Sequence, residues 1–189
     1  MWVSLFAYEN RAIPSLLQCF VQNDSPVTCL LPVGKAIRPA LGFLGEDKTR
    51  VGDRFLQGNL DLRILPFLPQ NQYDRLLWAC DLNIVRGEDS FVRAQYAGRP
   101  VLWQAYVQEG DSHEKKVQAW LDLYLTDVSS DLAEGVRRLF MAWNKGEAVP
   151  PDSLKTLVDC RPRARVWADC LAGLPSLAES LVMFAKNKL

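Results

Sequence analysis

The sequence predicts an α/β fold with a mostly parallel sheet, extended by a helical carboxyl-terminal part. Three observations carry this. The chain opens strand-helix-strand, with apolar runs at 2–6 and 27–31 around a helical pattern at 13–21, the order that joins parallel strands by a right-handed crossover. A second strand-turn-helix follows over residues 80–96, where Leu82, Ile84 and Val85 precede a turn containing Gly87. After Ser112 only helical periodicity is found, so the α/β body is expected over 1–110, with helices over 111–189 packed on it.

In order, the strand at 2–6 turns at Ala7-Tyr8-Glu9-Asn10, and Pro14 suits the first turn of the helix after it. The strand at 27–31 ends at Pro32-Val33-Gly34, and a short helix is expected over 35–44, closed by Gly42 and Gly45. Gly34-Lys35 is not a P-loop, because the glycine five residues earlier and the following Ser or Thr are missing. Two strand-like runs between 51 and 65 flank Gln57-Gly58-Asn59 and read as a hairpin. Residues 65–70, with Pro66 and Pro69, break regular structure ahead of a helix over 73–79. The strand at 101–104 follows Gly98-Arg99-Pro100. Helical spacing then places Val117, Trp120, Leu121 and Tyr124 together, and likewise Leu132, Val136, Leu139, Phe140 and Trp143. Further helices start near Asp152 and span 161–172 and 176–186.

Composition narrows the function classes. With 189 residues, 49% of them hydrophobic, the chain can bury a proper core. Twenty-two basic residues balance 22 acidic ones, so no global field recruits nucleic acid or an anionic membrane, and any anion needs a local site. No apolar run is long enough to span a bilayer and the start lacks the basic region of a signal peptide. Five cysteines without CxxC spacing, mostly in apolar stretches, predict buried free thiols in the cytoplasm. The single histidine, His113, stands beside Glu114 and Lys115 and reads as a solvated loop residue. Neither a zinc site nor a Ser-His-Asp triad is therefore expected, and no metal is called for.

The turn Arg86-Gly87-Glu88-Asp89-Ser90 is the chemically distinctive stretch. A strand-to-helix turn aims free backbone N–H groups and the positive end of a helix dipole at one point, where parallel sheets receive phosphates. Arg86 adds a planar fork suited to phosphate oxygens. The plainer alternative is that Glu88 and Asp89 only complement the helix dipole and Ser90 is a spacer. Residues just past the strand ends share one rim: Tyr8, Pro32 to Gly34, Pro66-Phe67, Arg86 to Glu88, and Tyr106. A cation ringed by aromatics suits a nucleoside diphosphate, with Phe6, Tyr8, Phe67 or Tyr106 as a base platform worth roughly 1–3 kcal/mol. Phe6, lying on a strand, fits a core position better than a ligand platform, whereas Tyr8 and Tyr106 fit either.

Three segments resemble one bacterial family closely: 4–10 (SLFAYEN), 67–74 (FLPQNQYD) and 80–95 (CDLNIVRGEDSFVRAQ). The family is the elongation factor P maturation arginine rhamnosyltransferase, and the likeness extends over nearly the whole chain. The resemblance implies a Rossmann-like carboxyl-terminal domain of a two-domain, inverting GT-B glycosyltransferase that moves rhamnose from dTDP-β-L-rhamnose to an arginine of elongation factor P. It places Phe6, Tyr8, Phe67, Gln70 and Tyr73 around the thymidine and sugar. Arg86, Glu88, Asp89 and Ser90 fall on the diphosphate and sugar motif, Tyr106 on a pocket aromatic, and Glu88 on an acidic position important for activity. No cofactor beyond the donor is implied. Residues 1–110 then form the nucleotide-sugar-binding core, and the family's amino-terminal domain, with the Asp residues proposed to act on the acceptor arginine, is expected to be absent. Such a half is expected to bind donor but transfer little. Two rival readings are a non-catalytic interaction module docking through the helices of Trp120, Trp143 and Trp167, and a glycosyltransferase half that uses another nucleotide sugar. On the family pattern Leu181, Val182 and Phe184 are expected to be exposed here.

Overall fold

A computed structural model describes residues 1–107 and 112–187. The boundary expected near residue 110 lies outside the described residues. Six strands form one sheet in the order β3-β4-β2-β1-β5-β6: β1 Trp2–Leu5, β2 Val27–Pro32, β3 Arg54–Gln57, β4 Leu60–Leu65, β5 Leu82–Arg86 and β6 Val101–Gln104. All neighbours are parallel except the antiparallel hairpin β3–β4. This is a Rossmann-like arrangement. The hairpin turns at Gly58, whose φ of +54° suits glycine and whose added Cβ would lie 2.7 Å from the Val21 carbonyl oxygen.

From β1 the chain steps through α1 (Ile13–Val21) to β2 on one side, while β5 steps through α4 (Asp89–Tyr96) to β6 on the other. Right-handed crossovers in opposite directions put these helices on opposite faces and leave a switch point between β1 and β5. α1 buries Ile13, Leu16, Leu17 and Phe20, spaced along one stripe. It packs on α2 (Ile37–Leu44), which ends at Gly45 in the left-handed region, while Gly42 lies inside the helix rather than closing it. α3 (Gln70–Ala79) starts three residues earlier than its apolar pattern indicates, because Pro69 is the N-cap and the polar Gln70-Asn71-Gln72 form the first turn. At the switch point the fully buried Ser4 donates to Asn83 Oδ1 at 2.6 Å, and Asn83 Nδ2 donates to the Leu77 carbonyl at 2.9 Å. Two polar side chains thus satisfy each other inside an apolar sheet and tie β1, β5 and the end of α3 together.

The remaining helices are α5 (Ser112–Tyr124), α6 (Ser130–Lys145), α7 (Ser153–Asp159), α8 (Arg161–Ala172) and α9 (Leu177–Lys186). The same buried cluster that starts at Val3 continues through Val117, Leu139 and Trp143 to Cys160. Trp143 is fully buried, and Trp120 and Trp167 are half-buried around Tyr124, so all three pack into the core rather than forming a free docking face. His113 is the correction: it is buried in the first turn of α5, not solvated in a loop. Four cysteines are buried, and burial pushes the Cys80 and Cys160 thiols up to about 12. Cys170, by contrast, is exposed. α9 buries nothing among its described residues, and Leu181, Val182 and Phe184 are exposed as anticipated. Among the described residues no single helix is long and apolar enough to cross a membrane; only the pair α8 and α9, bent by 47°, passes on length and composition.

Candidate active site

The carboxyl ends of β1 and β5 deliver Phe6, Tyr8 and Arg86 to the switch point. Arg86 is the last residue of β5, and its guanidinium carbon stands 4.5 Å from the ring centroids of both Phe6 and Tyr8. Two aromatic faces hold the cation in place. Its buried Nε has no protein hydrogen-bond partner, so this donor is open to a ligand oxygen. Tyr8 meets Tyr106, just past β6, edge to face at 5.9 Å.

Beside Arg86 lies a cleft of about 240 Å³ lined by Phe6, Pro32, Phe67, Leu68, Gln70, Tyr73 and Asp89. Phe67 is 72% exposed, a large flat side chain presented at the mouth. Tyr73 packs against Phe6 with centroids 5.3 Å apart and is buried. Burial raises its pKa well above the usual phenol range, against a smaller opposing effect of the neighbouring Ser90 hydroxyl. Tyr73 therefore remains a neutral hydroxyl, although its contact with Ser90 falls short of full hydrogen-bond geometry.

The turn after β5 is held tightly. Gly87 has a φ of +64°, and a Cβ there would come within 3.0 Å of the Tyr8 hydroxyl, so the position requires glycine. Its N–H donates to the Gln104 carbonyl at 2.9 Å, while the Gln104 side-chain oxygen accepts from the Tyr8 N–H at 2.8 Å. One buried glutamine thus bridges two loops of the rim. Asp89 opens α4 and pairs with Arg93 at 3.0 Å, and Arg93 also holds Asp74 of α3 at 2.9 Å. Gln70 has its amide within reach of Asp89 and Arg93. Glu88 is exposed, 3.6 Å from Lys116 of α5.

The fold thus gathers Phe6, Phe67, Gln70, Tyr73 and Asp89 around one cleft, and brings Tyr8, Arg86 and Tyr106 together beside it. Ser90 joins them through Tyr73. Glu88 lies outside the cleft lining, on the flank nearest α5. Sequence reasoning missed Gln104, Trp103 and the Asp74–Arg93 pair. A polar residue ending a buried strand was the available signal for Gln104; the ion pair between two helices had none. Among the described residues no three His, Cys, Asp or Glu side chains converge to hold a metal ion. The arrangement can bind an anion at Arg86 and the α4 amides and an aromatic or sugar ring in the cleft.

The family model described as Elongation-Factor P (EF-P) rhamnosyltransferase EarP matches residues 1–186. The protein-arginine rhamnosyltransferase of Pseudomonas aeruginosa is 44% identical over 185 residues, covering 96% of this chain and 49% of that protein. The Pseudomonas putida protein of the same name is 40% identical over 191 residues, covering 99% and 50%. A solved structure, described as the structural basis for EarP-mediated arginine glycosylation of translation elongation factor EF-P, has a TM-score of 0.87 at 37% identity, covering 100% of this chain and 61% of that chain. The chain spans about half the length of the curated relatives it matches. A family match over 186 residues, carried on a superimposable Rossmann-like fold, shows that this chain belongs to the EarP family of protein-arginine rhamnosyltransferases.

Proposed function

We propose that this chain forms the donor-binding half of a protein-arginine rhamnosyltransferase, holding dTDP-β-L-rhamnose for transfer to an arginine of elongation factor P. The observation that carries the reading is Arg86: a cation fixed between two aromatic rings, with an unpartnered Nε–H, at the switch point where α4 begins. Thymidine stacks in the cleft against Phe67 and Tyr73, the diphosphate meets Arg86 and the amides of 88–90, and Gln70, Asp89 and Ser90 reach the sugar. As the guanidinium nitrogen of the acceptor attacks the anomeric carbon, the bond to the β-phosphate oxygen breaks and the nitrogen gives up one proton to a nearby carboxylate. The negative charge left on dTDP is stabilised by Arg86 and the helix terminus.

Glu88, which falls on the acidic position of the family pattern, is the residue we assign to the reacting end; it is exposed, with Lys116 at 3.6 Å. An acceptor arginine, with a pKa above about 12, needs more than one such group close to its nitrogen. These 189 residues alone are therefore expected to bind donor but transfer little. Four buried free thiols fit work in a reducing compartment, the cytoplasm.

The test is a melting experiment with dTDP, UDP and GDP. Saturation at a hundredfold excess over Kd stabilises by about 2.7 kcal/mol. With ΔTm of roughly 2–4 °C per kcal/mol for a chain of this size, dTDP should raise the melting temperature by several degrees, and UDP and GDP by less. An equal shift with all three would reduce the reading to a half-site for another nucleotide sugar. No shift at millimolar concentrations would favour the non-catalytic interaction module.

A further inference from the structure

We propose that Trp103 is a positioning residue for the donor diphosphate: by holding the Gly87 carbonyl, its indole N–H aims the first amides of α4 into the crevice. The inference rests on the reading of that crevice as a nucleotide-sugar site and assigns a residue that does not itself line it. Trp103 Nε1 donates to the Gly87 carbonyl oxygen at 2.7 Å. The indole is 4% exposed and stacks on Phe91 of α4, with centroids 4.0 Å apart and planes 3° from parallel. It therefore has one available pose, and the Gly87 carbonyl is drawn toward the protein interior.

A trans peptide points its C=O and the following N–H in opposite directions. Fixing the Gly87 carbonyl inward turns the Glu88 N–H away from the indole and outward, at the turn that follows Arg86. The N–H groups of 88–90 precede any carbonyl one helical turn earlier, so they are the donors left for a ligand. The rest of the glycine is constrained as well: its own N–H is taken by the Gln104 carbonyl, and a Cβ on it would come within 3.0 Å of the Tyr8 hydroxyl. Without the indole donor, the Gly87–Glu88 peptide is the one link of this turn left free to rotate. The buried, unpartnered Arg86 Nε and the buried Tyr73 hydroxyl indicate that the corner awaits a polar ligand. The helix terminus is thus not the sole pointer to one.

The experiment titrates the full chain and W103F with dTDP and with thymidine by calorimetry. Phenylalanine keeps the stack on Phe91 and removes the N–H. We expect the affinity ratio of dTDP over thymidine to fall about tenfold in W103F, the effect of one charge-assisted hydrogen bond, with thymidine binding unchanged. A purely structural tryptophan would lower both affinities together. If W103F does not fold, tryptophan's benzothienyl analogue at position 103 exchanges the N–H for sulfur at nearly constant shape and gives the same comparison. A wild-type chain that binds no dTDP overturns the crevice reading and this inference together. A wild-type chain that binds it, beside a variant with an unchanged ratio, overturns the inference alone.

Discussion

Replacing Arg86 with methionine is expected to weaken dTDP binding by roughly 10- to 100-fold. The basis is the value of hydrogen bonds to charged groups, about 1.5–3 kcal/mol, at about 1.4 kcal/mol per tenfold. Arg86 should stand toward the upper end. Phe6 and Tyr8 restrict the guanidinium before the ligand arrives, so little side-chain freedom remains to be lost on binding. Its buried Nε lacks a protein partner, and a phosphate oxygen would supply one. Lysine at this position keeps the charge but loses the planar fork, so Arg86→Lys should fall between wild type and Arg86→Met. Titration calorimetry reads all three. Equal affinity in wild type and Arg86→Met would remove Arg86 from the site.

Trp143→Ala is expected to give the largest loss of stability, about 3–5 kcal/mol, read as a fall of roughly 10 °C in the melting temperature. Trp143 is the largest fully buried side chain among the described residues and sits near the end of α6. Its carbonyl accepts from Asn10 Nδ2 at 2.9 Å, and the adjacent Asn144 accepts from the Ala105 N–H and donates to the Trp103 carbonyl. α6 thereby fastens both the loop after β1 and the end of β6, the two supports of the aromatic rim. The Trp143 Nε1 has no hydrogen-bond partner. Trp143→Phe removes that unsatisfied donor while filling most of the volume, so it should cost far less than the alanine variant. Matching losses in the two variants would mean that indole volume is not what holds α6 in place.

Local chemistry made the corner at Arg86 legible, because an apolar run ending in a cation and a glycine declares both the strand and its exit. The opening strand-helix-strand was legible for a similar reason. Strand order was not, since pairing β5 beside β1 and β4 beside β2 depends on contacts far apart in the chain. His113 was misread from its polar neighbours. Yet it stands four residues before Val117 and eight before Leu121, on the buried face of α5, and that periodicity was available. Trp103 lies within the strand expected at 101–104 but was not singled out; its bond reaches a carbonyl 16 residues away in sequence, which no local pattern reveals.

A structure of the chain with dTDP bound is the decisive measurement. The diphosphate should lie within hydrogen-bonding distance, about 3 Å, of the Arg86 guanidinium and the amides of 88–90, with the base against Phe67. A diphosphate seated elsewhere, such as the cleft between α6 and α7 lined by Arg138 and Lys155, would contradict the assignment of this corner as the donor site.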